Sequence, residues 1–253
     1  LPSRRKGLDF YPDNISLMIR SADVPQVRHW SEINENDAFS IDDGFNDMLT
    51  ACAKISYGGE SVGSYKDLLE EDRIYVLLEI RSLTYPEPEN ALVFEHKCGE
   101  CGHKNELKLE NEFFEAVEID ETIKRYFDHE AKMFVIKTKS YGHIEIKPPT
   151  IGIMQAVSKW IRDLQQAGDK IDMTFIKILP YIAGTWKGLN AKRIKELSII
   201  YHTWDERKFS LMLDMCEKAK VGVDTEMHTD CKSCGSEVAA PITFPGGIKG
   251  IFV

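Results

Sequence analysis

Ile15, Leu17 and Ile19 alternate with polar or flexible neighbours, a period-two pattern that predicts a strand with one buried face. The period then changes. After a loop containing Val24 and Pro25, Ile41 with Asp42 and Asp43 opens a helix. Along it Phe45, Met48, Leu49, Cys52 and Ile55 recur at helical spacing, and Ser56, Tyr57, Gly58 and Gly59 close it. A second helical run starts at Ser64 and ends around Tyr85 and Pro86, with Glu70, Glu71 and Asp72 in its first turns, where carboxylates suit the helix dipole. Leu69, Arg73, Val76, Leu77 and Ile80 lie near one another on its wheel. The run Val76-Leu77-Leu78 spreads apolar groups to several sides, so both flanks of this helix are expected to be covered.

Alternation returns at 91–97 and 105–110, and again at 224–229 and 237–244. Each pair of stretches brackets a cysteine turn, which predicts two hairpins. Between them, 113–127 is acidic and partly helical, 133–138 reads as a strand, and 141–147 reads as its hairpin partner, turning at 140–142. A helical block follows Pro148, Pro149 and Thr150. Ile153, Ala156, Val157, Trp160, Ile161 and Leu164 keep helical spacing until Gly168, and 172–182 makes a second helix. Asn190 opens a third with Leu197, Ile200 and Tyr201, and Asp205 caps a fourth with Phe209, Met212, Leu213 and Cys216. The expected organisation is an arm and strand at 1–40, a helical pair with the first hairpin at 41–112, a mainly helical insertion at 113–222, and the second hairpin with an apolar tail at 223–253. That tail either packs on the body or docks into a partner.

The turns are Cys98-Gly99-Glu100-Cys101-Gly102-His103 and Cys231-Lys232-Ser233-Cys234-Gly235-Ser236. Two residues between the cysteines let both thiolates face one ion, and Gly after the second keeps the turn tight. Each turn offers half of a tetrahedral site. Cys98, Cys101, Cys231 and Cys234 are therefore the candidate ligands of one structural Zn²⁺. The fold class that follows is α+β, a split four-cysteine zinc ribbon made by two distant hairpins with a largely helical insertion between them. The competing readings are a ribbon that keeps its geometry without binding metal and a redox dithiol, which normally opens a helix in a βαβ setting that is missing here. His96, His103 and His228 lie close to the turns and are expected to be exposed or supporting residues, since four thiolates already saturate the site. Saturation also leaves no open position for water, which argues against zinc catalysis. Cys52 and Cys216 fall on apolar helix faces and read as core thiols.

Among the 253 residues, no run of apolar residues is long enough for a membrane span, and no signal peptide is visible. The chain begins at Leu1, so a removed leader is left open. A net charge of −9 works against wrapping a phosphate backbone and favours protein partners. The basic run Arg4-Arg5-Lys6 is expected to be a solvated arm. A zinc-ribbon nucleic-acid factor is the leading alternative. Glu100, Glu106, Glu110, Glu226 and Glu237 around the turns weigh against it. Gly59-Glu60-Ser61-Val62-Gly63 matches the nucleophile elbow of esterases, yet a helix and two glycines precede Ser61 where that elbow needs a buried strand. No phosphate loop, dinucleotide fingerprint or H-E-x-x-H is present, and 184–188 has too few glycines to cradle a phosphate. Neither an enzyme nor a small-molecule substrate is expected.

Several stretches together resemble the baseplate hub proteins of T-even-type contractile-tailed bacteriophages. They are Leu1-Pro2-Ser3-Arg4 with Tyr11-Pro12, Leu68-Leu69-Glu70-Glu71-Asp72-Arg73 followed by the apolar helix through Arg81 and Tyr85, the turn from Cys98 to His103, and the second cysteine turn close to an aromatic C-terminus. Arg5-Lys6, Asp9 and the longer tail depart from that pattern. The resemblance implies a non-enzymatic structural or assembly protein of the tail baseplate hub. Its partners would be other hub or tail proteins, and its location the virion tail or the host bacterial cytoplasm during assembly.

Overall fold

The computed structural model describes residues 1–4, 8–59, 61–109, 117, 119–184, 191–223, 226–241, 244 and 247–252. They form a mixed α+β arrangement of helices and four small antiparallel sheets. Expectations placed on Arg5, Lys6, Glu60, Glu110, most of 110–118, 185–190, 224–225, 242–243, 245–246 and Val253 lie outside the described residues. No helix among the described residues is long and apolar enough to cross a membrane.

The chain opens with β1 (Ile15–Ile19), α1 (Val24–Ser31), α2 (Ala38–Cys52), β2 (Ala53–Tyr57) and β3 (Ser61–Val62), with sheet order β1-β2-β3. Two expectations are corrected here. The supposed loop at Val24 and Pro25 is α1. Proline is tolerated in a first helical turn because the N–H it lacks has no partner there, and Asp23 N–H donates to Gln26 Oε1 at 2.9 Å to start the helix. The first long helix begins at Ala38, with Asp37 accepting from Phe39 N–H, and stops at Cys52 rather than running past Ile55. Lys54 is exposed and Ile55 buried, and the stretch pairs with β1, Leu17 opposite Ile55, so the same apolar residue reaches the core from a strand.

The run from Ser64 is likewise not one helix. Two 3-10 turns, Tyr65–Asp67 and Glu70–Asp72, precede α3 (Arg73–Thr84). Between them the backbone is extended because Ile151 N–H donates to Leu68 O at 2.8 Å and Glu70 N–H to Pro149 O at 3.0 Å. Those bonds with a distant segment outweigh local helix propensity. α3 itself is covered on several sides, with Tyr75, Val76, Leu77, Leu78 and Ile80 all buried.

The hairpin of β4 (Leu92–Lys97) and β5 (Lys104–Leu109) follows, then α4 (Glu121–Lys124) and the sheet β6 (Phe127–Asp128), β7 (Met133–Thr138), β8 (Gly142–Ile146). The helices α5 (Ile151–Ala167), α6 (Met173–Ala183), α7 (Ala191–Tyr201) and α8 (Glu206–Lys218) lead to β9 (Glu226–Asp230) and β10 (Glu237–Pro241). The cap expected at Asp205 is in place, and Thr150 and Asp172 cap the helices that were expected to start beside them. Thr150, Asp172 and Asp205 accept from first-turn N–H groups, and Gly168 ends α5 in the left-handed region at φ 72°.

One large apolar cluster runs from Phe10 through α2, α3, both cysteine hairpins and β6–β8 to Phe252. Phe10 meets Phe127 and Phe134 with ring centroids 5.1 and 5.6 Å apart, which fastens the N-terminal segment to the β6–β7 sheet. A smaller cluster of Ile153, Val157, Phe175, Leu179, Ala183, Ile194 and Leu197 joins α5, α6 and α7. The apolar tail packs on the body. Phe252 is fully buried beside Trp30, Tyr85 hydroxyl donates to Phe252 O at 2.7 Å, and Trp30 Nε1 donates to Lys249 O at 3.1 Å.

Candidate metal centre

The two cysteine turns have the same backbone. Cys98 N–H donates to His103 O at 2.8 Å and Gly102 N–H to Cys98 O at 3.0 Å; Cys231 N–H donates to Ser236 O at 2.8 Å and Gly235 N–H to Cys231 O at 2.9 Å. Gly102 at φ 72° and Gly235 at φ 73° supply the left-handed residue that closes each turn. A Cβ at either position would meet nothing within 4 Å, so the requirement for Gly is conformational rather than a matter of space. Regular antiparallel strands hold the turns at their tips, with His96 opposite Asn105 in one hairpin and Asp230 opposite Glu237 in the other.

The tips meet. Cys98 Sγ lies 3.7 Å from Cys234 Sγ, Cys101 Sγ lies 3.6 Å from Cys231 Sγ, and all four sulfurs fall within 4.8 Å of one another. A disulfide needs about 2.05 Å between sulfurs, and all six cysteines are free thiols. A tetrahedron of thiolates around Zn²⁺ at about 2.3 Å has edges of about 3.8 Å. The observed separations therefore fit a metal held by four sulfurs. Cys98 and Cys231 are buried, and Cys101 and Cys234 face outward.

Backbone N–H groups of Cys234 and then Ser233 aim at Cys231 Sγ and, with the Asn105 amide, hold that thiol down to about 6. The Ser236 hydroxyl, 3.3 Å from Cys234 Sγ, lowers Cys234 as well. Cys101 is drawn down by the His103 backbone N–H, but hydrogen bonds shared with the Cys234, Cys231 and Cys98 sulfurs, together with desolvation, carry it up to about 11. Four thiols crowded together cannot all ionise without a cation between them. Metal binding would supply that cation and release the protons.

Asn105 is the contributor that pattern reading missed. It is 1% exposed, its Oδ1 accepts from Lys232 N–H at 3.0 Å, and its Nδ2 lies 3.6 Å from Cys231 Sγ. A residue of the first hairpin thus holds the second turn. The available signal was a polar side chain on the face where Leu107 and Leu109 point inward. The histidines stand outside the sulfur cluster: His103 and His228 are exposed, His96 is half-buried, and His228 Nδ1 lies 3.2 Å from Glu237 Oε1. Cys52 and Cys216 are buried in the core, away from the cluster. Ser61 lies in β3, paired with Tyr57, and a 3-10 turn follows rather than the helix of a nucleophile elbow. Outward positions on the hairpins are mixed in charge, with Glu95, Glu100, Glu106, Glu226 and Glu237 beside Lys97, Lys104, Lys108 and Lys232. Compared with protein-family models, curated proteins and solved structures, the chain matches none.

Proposed function

We propose that Cys98, Cys101, Cys231 and Cys234 hold one structural Zn²⁺ as a split zinc ribbon, and that the chain is a structural or assembly protein of a contractile phage tail baseplate hub. The carrying observation is the convergence of four sulfurs, from hairpins 130 residues apart, at the spacing of a tetrahedral edge. Four protein ligands close the site, so the metal's role is to clasp rather than to catalyse. Mass spectrometry of the purified chain should find one zinc per molecule; a metal-free chain that is fully folded sinks the clasp.

The baseplate reading rests on the resemblance, and one spatial fact supports it. Its separate stretches interlock. Asp72 is fully buried, Ser3 N–H donates to Asp72 Oδ1 at 3.1 Å, Tyr11 hydroxyl donates to Asp72 Oδ2 at 2.7 Å, and Leu69 N–H donates to the Tyr11 oxygen at 2.8 Å. The Ser3 hydroxyl also bonds Asp72. Short motifs scattered in sequence thereby become one buried polar knot. Phage tails assembled without this protein should be deficient in hub components. Tails of normal composition and infectivity would exclude the role.

A further inference from the structure

The segment 219–223 joins α8 to the second cysteine hairpin, and its Ala219 and Val221 are buried. Its seat is the 3-10 turn Glu70–Asp72. Gly222 lies at φ 112°, and a Cβ there would come within 2.5 Å of Glu71 Cβ and 2.9 Å of Glu71 O, so glycine lets the connector rest directly on this turn. Gly222 O also accepts the Val117 N–H at 2.9 Å, which ties the start of the helical insertion to its end.

Three acids follow one another in the turn, and two of them are matched. Glu70 pairs with Arg73 at 3.0 Å, and Asp72 is held in the knot with Ser3 and Tyr11. Glu71 makes no ion pair among the described residues, and its Oε2 is closed to solvent with no hydrogen-bond partner among them. The Tyr181 hydroxyl faces it from α6, with Cys216 and Glu217 of α8 beyond. The nearby cations are already engaged. Both terminal nitrogens of Arg73 are committed, to Asp42, Glu70 and Asn46, and Lys220 lies 2.5 Å from Glu217. An unmatched carboxylate is costly in such a place, so the group keeps its proton instead. Burial first, and then the charges of Glu70 and Asp72, carry it from 4.5 up to about 8.

We propose that the turn Glu70–Asp72 is a proton-controlled latch: neutral Glu71 holds the 219–223 connector closed, and loss of its proton opens the connector and loosens the entry to β9. An ionised carboxyl needs water, and the connector packed on its stem is what parts from the turn to admit it. The inference stands whether or not the chain carries zinc.

Amide exchange of the full chain between pH 6 and 8, corrected for intrinsic rates, tests the latch. The Val117 amide should be less protected than the amides of α2 at each pH, and its protection should fall about tenfold per pH unit, since opening releases one proton. Glu71→Gln keeps the shape and cannot ionise, so protection in that variant should stay constant over the range. Gly222→Ala should lower protection about tenfold at every pH, because a Cβ at a positive φ is strained and meets Glu71 whatever its charge. A Val117 amide as protected as the α2 core would mean that the connector leaves only when the whole chain unfolds, which overturns the proposal. Protection that ignores pH in the native chain, a Glu71→Gln chain that keeps the tenfold slope, or a Gly222→Ala chain with unchanged protection would overturn it as well.

Discussion

The hairpins β4–β5 and β9–β10 bring few apolar residues of their own: Leu92, Phe94, Leu107 and Leu109 on one, Met227, Val238 and Ala240 on the other. The C-terminal tail instead lies against large aromatics, with Trp30 stacked on Phe45 at 5.5 Å and Phe252 edge-on to Trp30 at 4.9 Å. Both regions join distant parts of the chain. A two-stranded hairpin is at best marginally stable alone, so thin burial is matched by a thiol cluster able to hold a metal. Where aromatic area is available, ordinary packing and two hydrogen bonds to backbone carbonyls do the same task.

Removing the proposed zinc should separate the regions most sharply. Chelation or Cys98→Ser is expected to abolish zinc content and to speed amide exchange by orders of magnitude across 92–109 and 226–241, since structural zinc supplies about 10–16 kcal/mol of binding in small zinc domains. Amides of α2 and α3, which lie in the aromatic-rich core, should keep their protection. Unchanged exchange in the hairpins would erase the contrast. The reciprocal change is Phe252→Ala, expected to lower stability by about 3–5 kcal/mol in urea unfolding while leaving one zinc per chain. Loss of zinc in that variant would mean that the tail, not the metal, positions the second hairpin.

Two smaller effects refine the comparison. Asn105→Ala strips the Lys232 N–H of its acceptor and should cost about 1–3 kcal/mol. It should also weaken metal affinity by roughly 10–100-fold in a competition titration, because groups supporting ligands are worth that much. The metal site and the buried Glu71 should also answer pH in opposite directions. Protons compete with metal for thiolates, so the hairpins weaken as pH falls. Glu71, next to the Asp72 knot, is pushed up to about 8 from an ordinary 4.5, chiefly by burial, with the charges of Glu70 and Asp72 adding to the rise against a backbone hydrogen bond. A carboxyl raised in the folded state contributes stability that is fully present below pH 4.5 and fades as pH rises to about 8. Glu71→Gln should therefore be neutral near the lower value and increasingly stabilising toward the upper one, by melting temperature across that range. A flat difference would show that Glu71 ionises in the folded chain as freely as in the unfolded one.

Much of this was legible because it is local. The cysteine turns announce themselves through spacing and a glycine at the left-handed position. The caps at Thr150, Asp172 and Asp205, the stop at Gly168 and the β7–β8 alternation likewise depend on neighbours within a few residues. What was misread depends on distant partners. Ile55 has helical spacing behind it, but pairing with Leu17 makes it a strand residue. Leu68 and Leu69 sit in a helix-forming run, but Thr150 and Ile151 draw their backbone into a bridge. Asn105 looks like any polar strand residue until the second cysteine turn arrives beneath it.

The sequence by itself determined which chemistry the chain carries, since two C-x-x-C-G turns specify thiolate geometry within six residues each. It also determined where helices start and stop when a cap decides. Only the tertiary structure decided that both turns share one site, that Asn105 of one hairpin holds the turn of the other, and that Ser3, Tyr11 and Asp72 form a single knot. Caps and turns are closed by bonds between near neighbours, which a short window contains. Convergence is closed by packing between segments 61 to 136 residues apart, which no window contains.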